Sequence, residues 1–213
     1  MSAYIDLVFL GIVVALILFR LNNILGTRPE QPKVKIVSKK EFEKIYDFIL
    51  KKNEEDAKFS DIKLSDSPAD EVLQNIEGFQ KQDFLKRVSK VFEMVLEAFA
   101  NRDKETLKML TDKKLFEKFC AIIDERKAQN ITAESDLIKI DEMQILAAKV
   151  SPKGIAKITV QFVSEQINVL KDADGALIEG DENFVQKITD MWTFEKDIHG
   201  SSPVWLLTST KKK

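Results

Sequence analysis

The pattern of apolar and polar positions changes three times along the chain. Residues 7–19 read LVFLGIVVALILF, thirteen positions without a polar side chain, flanked by Asp6 and Arg20. From 83 to 129, apolar residues return every three or four positions, the period of a helix with one buried face. Beyond Asn130 they return at every second position, the period of a strand.

The first run, extended by Tyr4 and Ile5 before it and by residues 21–25 after it, approaches the roughly 20 residues of a spanning helix and predicts a transmembrane segment over 4–25. A secretory signal peptide has a similar apolar centre but needs a basic start and a small-residue cleavage site. Residues 1–6 hold no Lys or Arg, and Arg20-Leu21-Asn22-Asn23 follows the run. A mitochondrial presequence would be Arg-rich and amphipathic from its first residues. Between 20 and 40 stand six basic residues and one acid, Glu30, whereas the other flank has no basic residue. The positive-inside rule then sets the N-terminus outside and the rest of the chain on the cytoplasmic side. Arg28, Lys33, Lys35, Lys39 and Lys40 also suit contact with anionic lipid headgroups, at about 1 kcal/mol each near the surface. The same residues acting only as topology signals would look no different.

Residues 26–80 read as a linker. Pro29 and Pro32, without an apolar period, predict extended chain. Residues 41–52, EFEKIYDFILKK, gather Phe42, Ile45, Phe48 and Ile49 on one helical face. Such a segment lies on a bilayer, meets a partner helix or packs on the domain. Residues 53–67 are polar and charged. Residues 68–78 predict a short helix packed on the domain, with Val72, Leu73 and Ile76 together.

Residues 81–213 form the folded domain. The clearest helix spans 83–101, with Asp83 as its cap and Phe84, Val88, Val91, Phe92, Val95, Leu96 and Phe99 inward. A short helix over 103–110 follows. A third, capped by Thr111 or Asp112, runs to about 129 with Leu115, Phe116, Phe119, Ile122 and Ile123 inward. Strands are predicted over 140–150, 155–166, 176–178, 185–196 and 204–210, with turns at 151–154 and 172–175. Helices first and hairpin-linked strands after make an α+β domain, its helices on one face of an antiparallel sheet.

Composition removes several function classes. With 213 residues and a net charge of −2, the chain gives no electrostatic reason to expect nucleic acid. Its single cysteine, Cys120, excludes an internal disulfide and a multi-cysteine metal site. His199, the one histidine, stands in a Gly/Ser/Pro loop where no Ser-His-Asp or Cys-His set assembles. The acids Asp172, Asp174, Glu179, Asp181 and Glu182 lack the ligand spacing of a calcium loop and read as a solvated hairpin. Lys211 to Lys213 read as a solvated tail.

Strand alternation puts Asp190 on one face with Ile188, Trp192 and Phe194. A carboxylate among apolar groups is a candidate acid, because desolvation favours its protonated form. A carboxylate that caps a bend or pairs with a cation gives the same pattern. Phe162, Trp192, Phe194 and Trp205, with Asp190, are the candidate lining of a pocket. At this spacing aromatics more often form core.

The helix DFLKRVSKVFEMVLEAFANRDKETLKMLT, the strand ITVQFVSE, the turn DGALIEGD, the run of Asp190, Trp192, Thr193 and Phe194, and the closing Ser202, Pro203, Trp205 and Leu207 resemble the inner-membrane translocase subunit 44-like domain. That family is named for a peripheral subunit of the mitochondrial import machinery. The anchor's end, Phe19 to Gly26, is similar to alphaproteobacterial members. The resemblance implies a nuclear transport factor 2-like cone, a curved antiparallel sheet wrapped by helices around a pocket. It also implies a scaffold, since the mitochondrial relative tethers a chaperone to the translocation channel, and a related ribosomal protein places ribosomes at the inner membrane. The chaperone-binding region lies outside the shared domain, and no stretch of this chain matches it. Cone-fold isomerases use tyrosines, and Tyr4 and Tyr46 both lie before the domain.

The expectation is therefore a non-catalytic, cofactor-free, single-pass protein of a bacterial inner membrane. Its cytoplasmic domain would recruit a protein partner (chaperone, translocase or insertion machinery) in translocation, insertion or envelope assembly. Two other readings differ in class: a small-ligand or enzymatic cone using Asp190, and a ribosome tether, the one route to nucleic acid.

Overall fold

A computed structural model describes residues 59–200, 202 and 204–213. The helix expected over 4–25, the basic residues Arg28, Lys33, Lys35, Lys39 and Lys40, and the amphipathic stretch 41–52 lie outside the described residues. Among the described residues, no helix is long and apolar enough to cross a membrane.

The elements run β1 (Lys63–Leu64), α1 (Asp70–Gln74), α2 (Lys81–Ala100), α3 (Lys104–Leu110), α4 (Lys113–Ala128), β2 (Thr132–Val150), β3 (Ile155–Lys171), β4 (Leu177–Glu179), β5 (Gln186–Asp197) and β6 (Leu206–Lys212). The strands form one sheet in the order β1-β2-β3-β5-β6, with β4 beside β3. All pairs are antiparallel except β1 with β2. This is an α+β fold with an unclosed sheet. Three register shifts interrupt the long β2–β3 ladder, between Leu137 and Lys139, Ile140 and Glu142, and Ile145 and Ala147. Each inserts an extra residue on β2, and bulges of this kind bend a sheet and increase its twist.

The helices start and stop where local chemistry dictates. Asp103 caps α3 by accepting from the backbone N–H groups of Glu105 and Thr106, and Asp112 caps α4 by accepting from that of Leu115. Each satisfies a donor that the helix cannot. Helix α2 begins earlier than its apolar period suggests. Its cap position is Gln80, and Asp83, expected as the cap, sits in the first turn, where its negative charge still interacts favourably with the positive end of the helix dipole.

One face of the sheet, the inner face, is apolar. It carries Ile158, Val160 and Phe162 of β3 and Trp192 and Phe194 of β5, against which α2 packs Phe84, Val88, Phe92 and Val95. Residues expected in the linker join the same core: Ala69, Leu73 and Ile76 are buried in it. β1 is tied to β2 by its ladder, and Lys63 and Ser65 both bond Glu142. The outer face carries charges paired across strands, as where Asp141 bridges Lys139 at 3.0 Å and Lys187 at 2.9 Å.

Candidate functional site: the inner face and its polar end

Strand pairing brings most of the candidate residues together. Phe162 stands opposite Asp190 across β3–β5, and Asp190 stands opposite Lys212 across β5–β6. Phe162 and Phe194 are fully buried and Trp192 nearly so. Phe92 of α2 covers two of them, stacked on Phe162 with centroids 4.4 Å apart and tilted onto Trp192 at 4.6 Å. These three aromatics therefore sit in the packed interior. Trp205 lies apart from them, half-buried, with its ring edge-on to Phe84 at 4.9 Å and to Phe79 at 6.2 Å. The Lys196 ammonium stands 5.9 Å above that ring. Burial first, and then the nearby Arg87, pushes this ammonium below its ordinary pKa.

Asp190 is partly buried at the edge of the inner face. Its carboxyl is pushed above the usual range because burial removes water from it. The Lys212 ammonium and a hydrogen bond from Gln166 oppose that shift without cancelling it. Gln166 in turn belongs to a row absent from the sequence reading. Along β3 the inner positions change from Ala156, Ile158, Val160 and Phe162 to Ser164, Gln166 and Asn168. Gln166 Nε2 donates to Ser164 Oγ at 2.8 Å, Asn168 Nδ2 donates to Gln166 Oε1 at 3.0 Å, and Ser135 Oγ donates to Asn168 Oδ1 at 2.6 Å. Ser164 and Gln166 are almost wholly buried, and such groups are tolerated only when bonded in this way. The signal in the sequence is the S-E-Q-I-N run continuing the alternation of β3 with polar residues.

A shallow groove of about 390 Å3 lies on the other face. Its floor is Ala147, Thr159, Thr193 and Ser209, one residue from each of four strands in direct register. Small side chains at matched positions leave the trough, and Lys149 and Lys157 border it. His199 is exposed, and its backbone N–H donates to Asp197 Oδ1 at 3.0 Å.

Residues 67–212 match the family model described as the Tim44-like domain. Two curated relatives align with part of the chain. The probable mitochondrial import inner membrane translocase subunit tin-44 of Caenorhabditis elegans is 28% identical over 128 residues, 59% of this chain. The mitochondrial import inner membrane translocase subunit TIM44-1 of Arabidopsis thaliana is 26% identical over 122 residues, 56% of this chain. The alignments span 30% and 25% of those relatives' own lengths. Among solved structures, the intermembrane space region of the chloroplast protein ARC6 overlaps 63% of this chain and 96% of its own, at 17% identity and a TM-score of 0.45. With the family model covering well over half of its length, the chain belongs to the Tim44-like domain family.

Proposed function

We propose that this protein is a non-catalytic scaffold that holds a protein partner at a bacterial inner membrane, in protein translocation, insertion or envelope assembly. The observation that carries the reading is the match of residues 67–212 to a domain whose curated relatives are named as subunits of an inner-membrane import translocase. Residues 4–25 are the anchor, with the N-terminus outside and the Tim44-like domain in the cytoplasm. Arg28, Lys33, Lys35, Lys39 and Lys40 meet lipid headgroups. The domain takes the form of a nuclear transport factor 2-like cone.

The chemistry of the described residues supports a binding role. The aromatic candidates are spent on packing, with Phe162, Trp192 and Phe194 in the interior against α2. The one histidine is an exposed loop residue. Asp190 is held by Gln166 and faces Lys212, an arrangement that fixes a strand end without needing a substrate.

Chemical crosslinking of the full-length chain in native membranes, followed by its purification, tests the proposal. A discrete protein partner, recovered in proportion to the bait, is the expected result. Recovery of lipid alone would overturn the scaffold reading.

A further inference from the structure

The chain between β3 and β5 makes an excursion that the core does not use. β3 runs on to Lys171, turns through Asp172 to Gly175 and returns as β4, which pairs with β3 through Leu170↔Glu179 and Lys171↔Leu177. Residues 180–185 then swing out before β5 begins at Gln186 along the same side of β3. The loop has a defined shape. Gly180 has φ +89°, and a Cβ there would fall 2.2 Å from the Asn168 carbonyl oxygen, so the backbone is pressed against β3. Asp172 Oδ1 accepts from the backbone N–H groups of Asp174 and Ala176, and Asp181 Oδ1 accepts from that of Asn183.

This fixed excursion presents apolar side chains to water. Leu177 is 50% exposed, Ile178 51%, Phe184 59% and Val185 42%. Clustered exposure of this kind marks an interaction surface more often than a scatter of single residues does. The same stretch, 171–186, carries five carboxylates against one ammonium, a net charge of −4. The ammonium, Lys171, is already engaged by Glu134 at 2.8 Å and Glu182 at 2.6 Å. Backbone is open as well. Among the described residues β4 pairs with β3 alone, and the last contact beside β6 is the Lys213 N–H donating to the Thr189 carbonyl at 2.9 Å, leaving Gln186 to Ile188 of β5 with β3 on one side. Carboxylates on an edge can serve only to repel other strands. That role does not account for four large apolar side chains beside them.

We propose that this hairpin is a docking surface for an extended, basic polypeptide segment carrying apolar side chains, which adds to the open edge of β4 and β5. Main-chain hydrogen bonds to the edge supply register, Leu177, Ile178, Phe184 and Val185 receive the apolar side chains, and the carboxylates select lysine or arginine beside them. This deepens the scaffold reading by giving the chemistry of one partner segment, and it rests on that reading.

A fluorescent dodecapeptide of alternating lysine and valine, titrated against the full-length chain, tests the surface. It is expected to bind saturably, with affinity falling as salt rises. The glutamate–valine and lysine–serine counterparts should bind at least about tenfold more weakly. Hydrogen exchange should show new protection at residues 177–179 and 186–188. Two folded double variants, Leu177→Ser with Phe184→Ser and Asp174→Lys with Glu179→Lys, should each weaken binding by about tenfold or more. Their unchanged near-ultraviolet signal from Trp192 and Trp205 verifies the fold. Binding that ignores both variants, equal binding of the acidic peptide, or protection located elsewhere would overturn the proposal. If the serine variant still recovers the membrane partner in full, the hairpin assignment fails and the scaffold stands. If no partner is recovered at all, the scaffold fails, and the peptide titration still decides the hairpin.

Discussion

The ring of Phe92 on α2 lies nearly parallel to that of Phe162 on β3, with centroids 4.4 Å apart and planes inclined by 12°. The contact joins the long helix to the centre of the sheet. Both rings are fully buried, so each truncation removes apolar burial and leaves a cavity. Phe92→Ala and Phe162→Ala should each cost about 3–5 kcal/mol. In a double-mutant cycle the pair should show a coupling of about 0.5–1.5 kcal/mol, the range for aromatic pairs. Urea unfolding of the four variants measures both quantities. Additive losses would mean that the stacking is incidental.

A second prediction concerns where the folded unit begins. Ala69, Leu73 and Ile76 are buried with the core, and β1 adds a parallel pairing to β2. Leu73→Ala should cost about 2–5 kcal/mol, the usual loss for a buried leucine. A chain beginning at Lys81 should melt well below one beginning at Phe59. Equal melting temperatures would make residues 59–80 dispensable to the fold.

The pH dependence of stability carries the mark of Asp190. Its carboxyl is raised in the folded state by burial, so the folded chain binds this proton more tightly than the unfolded chain does. Stability from this group is therefore present at low pH and is lost as pH rises from the ordinary carboxylate range through the raised folded value. Asp112 contributes in the same direction, again through burial. Asp103 has the opposite sign. Hydrogen bonds from Thr106 hold its carboxyl below the usual range, so its contribution is present at higher pH and fades as pH falls. Asp190→Asn should flatten the decline on the alkaline side, measured by urea unfolding across that range. An unchanged profile would show that burial of Asp190 has no energetic consequence.

The helix caps give a smaller and more local expectation. Asp112→Ala removes the acceptor for the Leu115 N–H and should cost about 0.5–2 kcal/mol. Asp83→Ala should cost no more than a few tenths by comparison, because Asp83 contributes a charge to the first turn and not a cap. Thermal melts of the two variants separate these roles.

The order of elements was legible because apolar periodicity changes cleanly at Asn130. The strand ends were not. β2 begins at Thr132, where 140 was expected, and β3 ends at Lys171, where 166 was expected. In the extensions the inner positions Ser135 and Asn168 bond each other, and Asn168 bonds Gln166 at the expected end of β3, so the alternation persists in geometry while the hydrophobic signal weakens. β1 was missed for a related reason, since a two-residue parallel strand in polar surroundings has no period to detect. Asp190 was legible from alternation alone. Its partner Gln166 was not, because a hydrogen bond between two strands depends on how β3 and β5 pair, and that register leaves no mark in one sequence.

The central claim is that this chain places a protein partner at a membrane. Its most direct test is the abundance of the crosslinked partner in membrane and soluble fractions, compared between the intact chain and a chain lacking residues 4–25. The account predicts that the chain and its partner both leave the membrane fraction when that segment is removed, and that restoring an unrelated single-span anchor returns both. A partner whose distribution is the same with and without the anchor would contradict it.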